Sequence, residues 1–241
     1  MLTAAELAKL KEFDAPTVAN AIEAFGIRPN TAGFMAPGML QRTCFGEPMV
    51  GYAATAKVSA SSPGTAENEE TLLSYYEAVG AMPGPVIAVI KDVDEAPVGS
   101  FWGEVQSTVH KSLGAVGTLT DGGVRDLDAV EEMGFCFFST CLLVSHAYIH
   151  MESFGEPLDI LGLTVRPGDL LFCDVHGVVQ IPEEIAPKLA DMCRVVAEAE
   201  YPVLNPARAA IAAGRTPSKE ELRAWRKEMS RQRKEHAAKL K

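Results

Sequence analysis

Residues 117–126 read GTLTDGGVRD, and this stretch decides the fold because it connects an apolar segment to a helix through two adjacent glycines. The apolar residues 115–119 predict a short buried strand, and residues 125–133 predict a helix that ends at Gly134. Three further strands are predicted by apolar segments, at residues 50–58, 86–90 and 135–139. Helices are predicted between these strands, and the alternation predicts an α/β fold with parallel pairing.

Both ends of the chain are predicted to be helical. Residues 3–25 predict two helices, each with a polar residue at its N-cap. The last 24 residues predict one long charged helix with a capping box at its start. We therefore divide the chain into a main catalytic domain at residues 1–214 and a basic helical extension at residues 215–241.

The composition is that of a globular protein, with 47% hydrophobic and 22% charged residues among 241. This length suffices for one large domain with a sizeable core. No apolar run is long enough to span a bilayer, and the first residues lack the apolar core of a signal peptide, so we expect a cytoplasmic protein without membrane contact. The five cysteines are scattered without a C-x-x-C pair, which indicates reduced, mostly buried thiols.

The net charge of −10 is unevenly distributed along the chain. Residues 215–241 hold ten Lys and Arg against four Asp and Glu, a charge of +6 that leaves −16 on the rest of the chain. An acidic body argues against a nucleic-acid partner, because phosphate contacts need a basic surface. We therefore expect a small-molecule substrate.

The end of the predicted strand at residues 115–119 has the residues of an anion and metal site. Ligands bind where the strands of open α/β sheets end and helices begin, and glycines there allow a close approach to the backbone. Arg125 offers a planar pair of donors that suits a carboxylate, and Asp126 offers a hard oxygen ligand for Mg²⁺ or Mn²⁺. The alternative is that Asp126 caps its own helix and Arg125 lies in solvent.

Together with its surroundings, this segment resembles the RraA-like family, which includes the 4-hydroxy-4-methyl-2-oxoglutarate/4-carboxy-4-hydroxy-2-oxoadipate aldolases. The family pattern is an acidic residue, twenty intervening residues and then Arg-Asp, and Glu104 followed by Arg125 and Asp126 matches it. Residues 165–170 and 174–179 resemble the family's V-x-P-G-D and D-x-x-G-V-V stretches. The resemblance covers roughly residues 10–200.

The resemblance implies a layered β/β/α fold related to swivelling domains, here with added N- and C-terminal helices, in a homotrimer or hexamer. It implies a divalent metal, Mg²⁺ or Mn²⁺, held directly by Asp126 and through water by Glu104. Arg125 would bind the pyruvate part of the substrate. The other substrate-binding residues would be Gly103 and, through their backbone amides, Val105 and Gln106.

On this basis we expect a class II, metal-dependent aldolase. Retro-aldol cleavage of a 4-hydroxy-2-oxo acid would give pyruvate through a metal-stabilised enolate, and oxaloacetate decarboxylation would pass through the same enolate. Glu104 stands where the founding aldolases have Asp, and Gln106 is polar where they tend to be apolar, so the natural substrate stays open. The alternative function is a non-catalytic protein-binding regulator, because the family's name-giving members inhibit a ribonuclease.

Two other groups of polar residues are weaker candidates for a site. His146 and His150 are four residues apart, a spacing that suits a metal only on a helix, and no helix is predicted there. Asp92 and Asp94 follow a predicted strand. They are interpreted as solvated loop residues, with a supporting role at the site as the alternative.

Overall fold

The computed structural model describes residues 1–240 of the chain. Its strands are β1 (Leu40–Gln41), β2 (Met49–Ser59), β3 (Val86–Asp92), β4 (Ala115–Val124), β5 (Cys136–Leu142), β6 (His150–Phe154), β7 (Leu158–Ile160), β8 (Leu163–Val165), β9 (Leu170–Asp174) and β10 (Gly177–Ile181). Its α-helices are α1 (Ala4–Leu10), α2 (Ala15–Phe25), α3 (Ala66–Ala81), α4 (Glu104–Ser112), α5 (Leu127–Met133), α6 (Ala186–Ala199), α7 (Tyr201–Ala212) and α8 (Lys219–Ala237). A short 3₁₀ helix, Glu183–Ile185, precedes α6.

The chain divides into two compact units. The sheet unit comprises residues 32–183 and contains every strand named above. The helical unit comprises residues 1–31 together with the chain from residue 184 onward. No helix within residues 1–240 is long and apolar enough to cross a membrane.

The sheet unit has a mixed sheet with the order β1-β5-β4-β3-β2-β9-β10, and β6 pairs with the second half of β2. The three central pairs, β2–β3, β3–β4 and β4–β5, are parallel, as the alternation of strands and helices predicted. The outer pairs are antiparallel, and β7 and β8 form a separate hairpin. The predicted α/β class with added terminal helices is therefore confirmed.

Strand β4 is longer than the sequence predicted. We expected a turn at the glycine pair, but the strand continues through Gly122 and Gly123 to Val124, with an irregular register against β5 between Thr120 and Gly123. Gly123 lies against Leu143, and a Cβ there would be 2.5 Å from the Leu143 Cγ atom. Glycine therefore serves here to let a neighbouring segment approach, which is a common role of glycine inside a strand.

The side chains of the buried parallel strands belong to two apolar clusters, one on each face of the sheet. In β3, Ala88 and Ile90 lie in the cluster that also contains Tyr75 of α3, whereas Ile87 and Val89 lie in the other cluster. Full burial of a Val or Ile side chain contributes roughly 1.5–3 kcal/mol. The central strands are therefore the rigid support from which the following loops extend.

The helical unit confirms the two predicted N-terminal helices and the predicted start of the C-terminal helix, which ends at Ala237, earlier than predicted. Thr3 and Ser218 form capping boxes, Asp14 accepts from Thr17 N–H, and Gly26 ends α2 in a left-handed conformation. Helices α6 and α7 lie between these terminal helices, and α7 has a proline inside it. The basic extension forms α8, which lies against α2, α6 and α7.

Candidate active site

The end of β4 is joined to the loop before α4 by backbone hydrogen bonds. Arg125 N–H donates to the Trp102 carbonyl at 3.1 Å, and Trp102 forms a parallel bridge with Val124. The buried Ser100 hydroxyl lies 2.6 Å from the Trp102 carbonyl and 2.8 Å from that of Gly123. Ser100 was not identified from the sequence, where its only signal is its position four residues before Glu104.

Asp126 links the two segments through its side chain. Its Oδ2 atom accepts a hydrogen bond from the backbone N–H of Glu104, the first residue of α4, at 3.0 Å. Asp126 occupies the N-cap position of α5 but makes no side-chain capping bond to that helix. The alternative that Asp126 caps its own helix is therefore wrong, because its carboxylate bonds to the neighbouring helix instead.

The backbone of Asp126 is left-handed, with φ 59° and ψ 40°. This conformation is uncommon for residues other than glycine, and Asp and Asn tolerate it better than most. The carboxylate is 41% exposed, and its Oδ1 atom has no hydrogen-bond partner within residues 1–240. One carboxylate oxygen is thus fixed by α4 while the other remains free to bind a ligand.

Gly103 leaves the space that this arrangement needs. A Cβ atom at Gly103 would lie 2.4 Å from Asp126 Oδ2 and 3.1 Å from Arg125 Nε. Its backbone is extended, with φ −160°, so conformational freedom is not the reason for glycine here. The residue is small because the two side chains of the Arg-Asp pair pass directly over it.

Arg125 is held only loosely by the protein. Its Nη1 atom donates to the Val144 carbonyl at 3.5 Å, its Nε atom lies 3.7 Å from Asp126 Oδ2, and the side chain is 34% exposed. The alternative that it lies simply in solvent is thus incomplete. The Val144 segment is positioned by Leu143 N–H, which donates to the Val124 carbonyl. No pattern in the sequence predicted this third segment of the site.

The N-terminus of α4 supplies free backbone donors beside these side chains. Gly103 is the N-cap residue and has no side chain to cap the helix, and the N–H groups of Val105 and Gln106 have no partner in the described chain. Unpaired N–H groups at the start of a helix attract anions. The Glu104 side chain is exposed in the first turn and makes no hydrogen bond within residues 1–240. The predicted site residues therefore occupy two adjoining segments.

Gln106 is anchored by a residue that the sequence did not reveal. Tyr76 of α3 donates its hydroxyl proton to Gln106 Oε1 at 2.6 Å. This bond leaves the side-chain NH₂ of Gln106 as the available donor group. Tyr76 lies 30 residues earlier in a helix, and only the fold brings it here.

A buried histidine in the last turn of α4 interacts with the preceding turn of the same helix. The Nδ1 atom of His110 lies 2.7 Å from the Gln106 carbonyl, and its ring lies 4.5 Å from Trp102 and 5.4 Å from Tyr76 between ring centroids. Burial lowers the pKa of His110 to about 4 because the charged imidazolium would lose its hydration. His110 is therefore neutral at neutral pH and supports the helix as part of an aromatic cluster.

The site fits a divalent cation held by few protein ligands. Asp126 offers one free carboxylate oxygen, and no group of three or more His, Cys, Asp or Glu suited to a metal occurs in the described part of the chain. Mg²⁺ commonly binds through one or two carboxylates and keeps several waters or substrate oxygens. The donor set is thus suited to Mg²⁺ or Mn²⁺ and unsuited to a structural zinc ion.

The remaining sequence candidates lie in other hydrogen-bonding arrangements. His150 is the first residue of β6 and bonds to Glu152 at 2.7 Å, whereas His146 lies in a loop with its Nδ1 atom near the Ala147 carbonyl. The interpretation of Asp92 as a solvated loop residue is wrong, because Asp92 ends β3 with only 7% exposure. Burial raises the pKa of Asp92.

Comparison with known proteins identifies relatives of the chain. The family model described as RraA-like, Aldolase/RraA, matches residues 15–180. A protein of Halalkalibacterium halodurans named "Putative 4-hydroxy-4-methyl-2-oxoglutarate aldolase" is 29% identical over 136 residues, which cover 56% of this chain and 60% of that protein. The chain thus matches less than two thirds of that relative's length.

Solved structures show the same fold. An uncharacterized protein of Pseudomonas syringae pv. tomato superposes with a TM-score of 0.67 at 25% identity, covering 89% of this chain and 92% of that one. RraAS2 of Streptomyces coelicolor, described as an unusual member of the RNase ES inhibitor RraA protein family, has a TM-score of 0.64 at 22% identity and covers 86% and 97%. At that identity the second likeness concerns the fold alone.

Proposed function

The chain belongs to the RraA-like aldolase/RraA family, and from that premise we propose that it is a divalent-metal-dependent carbon–carbon lyase acting on a small 2-oxo acid. The reaction would be retro-aldol cleavage of a 4-hydroxy-2-oxo acid to pyruvate, with oxaloacetate decarboxylation as a side activity. The observation that carries the proposal is the convergence of the Asp126 carboxylate, the Arg125 guanidinium and the unpaired amides of α4.

The substrate carboxylate has two sources of binding in this arrangement. The guanidinium of Arg125 can donate two parallel hydrogen bonds to a carboxylate, a geometry that lysine does not offer. The N–H groups of Val105 and Gln106 lie at the positive end of α4 and add neutral donors. Together they would fix the 1-carboxylate and 2-oxo end of the substrate, which every 2-oxo acid shares.

Asp126 would hold the cation through its free Oδ1 atom, and Glu104 would orient a water beside it. When bound, the cation would polarise the 2-oxo and carboxylate oxygens and so stabilise the negative charge that develops during cleavage. The hydrogen bond from Glu104 N–H keeps the Asp126 carboxylate in place without neutralising it. Preorganised groups of this kind contribute to catalysis because they need no rearrangement during the reaction.

The proposed cleavage balances without a redox partner or a covalent intermediate on the protein. The bond between C3 and C4 breaks, the C4 hydroxyl loses its proton, and C4 leaves as a carbonyl. The electron pair stays on the three-carbon part as the pyruvate enolate, which takes a proton at C3 to give pyruvate. Glu104 is the group of this site best suited to steer the water that accepts the C4 hydroxyl proton, because its carboxylate is exposed and unbonded.

The identity of the group beyond C4 is a separate proposal. The name of the Halalkalibacterium halodurans relative points to 4-hydroxy-4-methyl-2-oxoglutarate. Gln106 presents a fixed amide donor next to the proposed binding site, so a polar or acidic group at this end of the substrate would suit the chain. We also propose a homotrimer or hexamer, which light scattering can measure.

The test is metal-dependent release of pyruvate. The purified chain, stripped with EDTA, would be assayed with oxaloacetate and with 4-hydroxy-4-methyl-2-oxoglutarate, before and after addition of Mg²⁺ or Mn²⁺. We expect no activity without the metal and recovery on its addition. A folded protein that releases no pyruvate from a panel of 2-oxo acids with either metal would overturn the lyase and favour the protein-binding alternative.

A further inference from the structure

Two cysteines far apart in sequence are brought together at the start of β5. Residues 42–44, which follow β1, lie along residues 135–137. Arg42 N–H donates to the Phe137 carbonyl at 2.7 Å. The Thr43 hydroxyl donates to the Phe135 carbonyl at 2.8 Å and accepts from Phe137 N–H at 2.7 Å. The Thr43 hydroxyl is thus hydrogen-bonded to the residue before Cys136 and to the residue after it.

Cys44 follows Thr43 directly, so its thiol lies near Cys136, which is also the neighbour with the largest effect on the Cys44 thiol. Both residues are partly exposed, whereas Cys173 and Cys193 are buried. The interaction with Cys136 lowers the pKa of the Cys44 thiol and outweighs the opposing effects of burial and of the Glu131 and Glu47 carboxylates. A thiol with a lowered pKa holds more of the reactive thiolate at neutral pH.

The backbone of Cys44 is fixed on both sides. Its N–H donates to the Glu131 carboxylate at 2.6 Å, and its carbonyl accepts from Gln41 Nε2 at 2.6 Å. Cys44 has a left-handed backbone, with φ 57°. For a residue other than glycine or asparagine this conformation is strained, and it persists only where surrounding bonds enforce it. These bonds thus fix the backbone of Cys44 in the segment that lies along Cys136.

We propose that Cys44 and Cys136 form a reversible disulfide when the protein meets a peroxide. The Cys44 thiolate attacks a peroxide oxygen, a sulfur–oxygen bond forms, the oxygen–oxygen bond breaks and hydroxide leaves. The Cys136 sulfur then attacks the Cys44 sulfenic acid, the sulfur–sulfur bond forms, the sulfur–oxygen bond breaks, and the hydroxyl leaves with the Cys136 proton as water. The two thiols supply the two electrons that reduce the peroxide, and a dithiol reductant restores them.

The test is to locate the oxidised thiols in the folded protein. The intact chain is treated with dilute hydrogen peroxide, free thiols are blocked after denaturation, and the protein is analysed by mass spectrometry with and without dithiothreitol. The wild type should lose two of its five thiols and regain them on reduction. Fragments cut between Cys136 and Cys141 should show Cys44 linked to Cys136.

Single serine variants distinguish a disulfide between Cys44 and Cys136 from oxidation of any exposed thiol. Cys141→Ser removes another partly exposed thiol of β5 and should leave the disulfide intact. Cys44→Ser should abolish the linkage, and Cys136→Ser should let Cys44 proceed to the sulfinic acid. The proposal fails if the wild type accumulates sulfinic acid at Cys44 while Cys136 stays free, or if Cys141 is the linked residue. These results come from the wild type and hold even if a variant folds poorly.

Discussion

The Oδ2 atom of Asp126 lies 3.0 Å from the backbone nitrogen of Glu104, and this hydrogen bond joins the two halves of the sequence motif. The bond connects residues 22 positions apart, at the end of β4 and the start of α4. It also fixes the carboxylate so that Oδ1 has no protein partner in the described chain. The residues between Glu104 and Arg125 therefore form helix α4 and strand β4. Their combined length returns the chain to the start of α4, so the two halves of the motif meet there.

Replacing Asp126 should separate metal binding from folding. Asp126→Asn keeps an oxygen that can accept from Glu104 N–H and tolerates the left-handed backbone, but it loses the negative charge. We expect pyruvate release to fall at least about a hundredfold, or roughly 2.7 kcal/mol in activation free energy, with little change in melting temperature. Asp128→Asn, in the exposed first turn of α5, is the matched control. Full activity of folded Asp126→Asn would remove Asp126 from the metal site.

A methyl group at Gly103 should disable the site without unfolding the chain. In Gly103→Ala the new Cβ would lie 2.4 Å from Asp126 Oδ2, so the Asp126 carboxylate must move away from Glu104 N–H. Because exposed side chains can give way, we expect a melting temperature close to wild type and at least about a tenfold loss of kcat/KM. Gly80→Ala is the control, since its nearest new contact is 3.4 Å away. A Gly103→Ala enzyme with wild-type kinetics would show that this geometry is not needed.

Arg125→Lys tests recognition of the substrate carboxylate. Lysine keeps the positive charge but loses the planar pair of donors, so we expect kcat/KM to fall by about 2–4 kcal/mol in transition-state terms. The exposed Arg166→Lys should leave kcat/KM unchanged. Steady-state kinetics on oxaloacetate would measure both. A loss below tenfold for Arg125→Lys would mean that the guanidinium does not contact the reacting carboxylate.

His110 should make the protein less stable in mild acid. Its pKa of about 4 in the folded state lies below the ordinary value of 6.5, so between these values the unfolded chain binds more protons. The stability associated with neutral His110 is complete above about pH 6.5 and decreases as pH falls toward 4, by up to about 3 kcal/mol. His110→Phe should lose this dependence. The free energy of unfolding is measured for wild type and variant at pH 5 and at pH 7.5. If the difference between the two proteins is the same at both pH values, the prediction for His110 is wrong.

The sequence predicted the parallel strands and the terminal helices because their signals are local. Apolar runs mark β3, β4 and β5, and capping residues such as Ser218 mark where helices begin. The extent of β4 was wrong because a glycine pair normally indicates a turn. Here Leu143 packs where Gly123 lacks a side chain, and this contact depends on tertiary structure.

The motif predicted which residues of the site lie together, but their supports could not be predicted. Tyr76 reaches Gln106 from another helix, and the Val144 carbonyl reaches Arg125 from the segment after β5. Neither contact leaves a pattern in one sequence, because each depends on packing between elements. The interpretation of Asp92 as solvated failed for the same reason, since its burial comes from neighbouring strands.

The basic extension lies against helices of its own unit. Arg233 of α8 donates to the Asn20 carbonyl of α2 at 2.9 Å, and Ala237 is buried. Trp225 is partly exposed, and we predict that it contacts a neighbouring subunit. Arg231 forms ion pairs with Glu228 and Glu235. These pairs lie within α8 and are exposed to solvent, so they stabilise the helix itself more than its contacts with other helices.

Removal of α8 by truncation after Gly214 should therefore lower the melting temperature of the chain itself. The faces of α2, α6 and α7 that α8 covers would become exposed to water, and burial of apolar surface is the main source of stability. Arg233→Ala should reproduce a small part of the effect, about 1 kcal/mol, because it removes the bond to Asn20. The exposed Arg226→Ala is the control and should not change the stability.

Thermal melting and light scattering on the same samples distinguish two roles of α8. A lower melting temperature at unchanged mass means that α8 stabilises its own unit, and a lower mass means that it also reaches a second subunit. An unchanged melting temperature in the truncated protein would refute the role in stability, because α8 would then bury nothing that the chain needs.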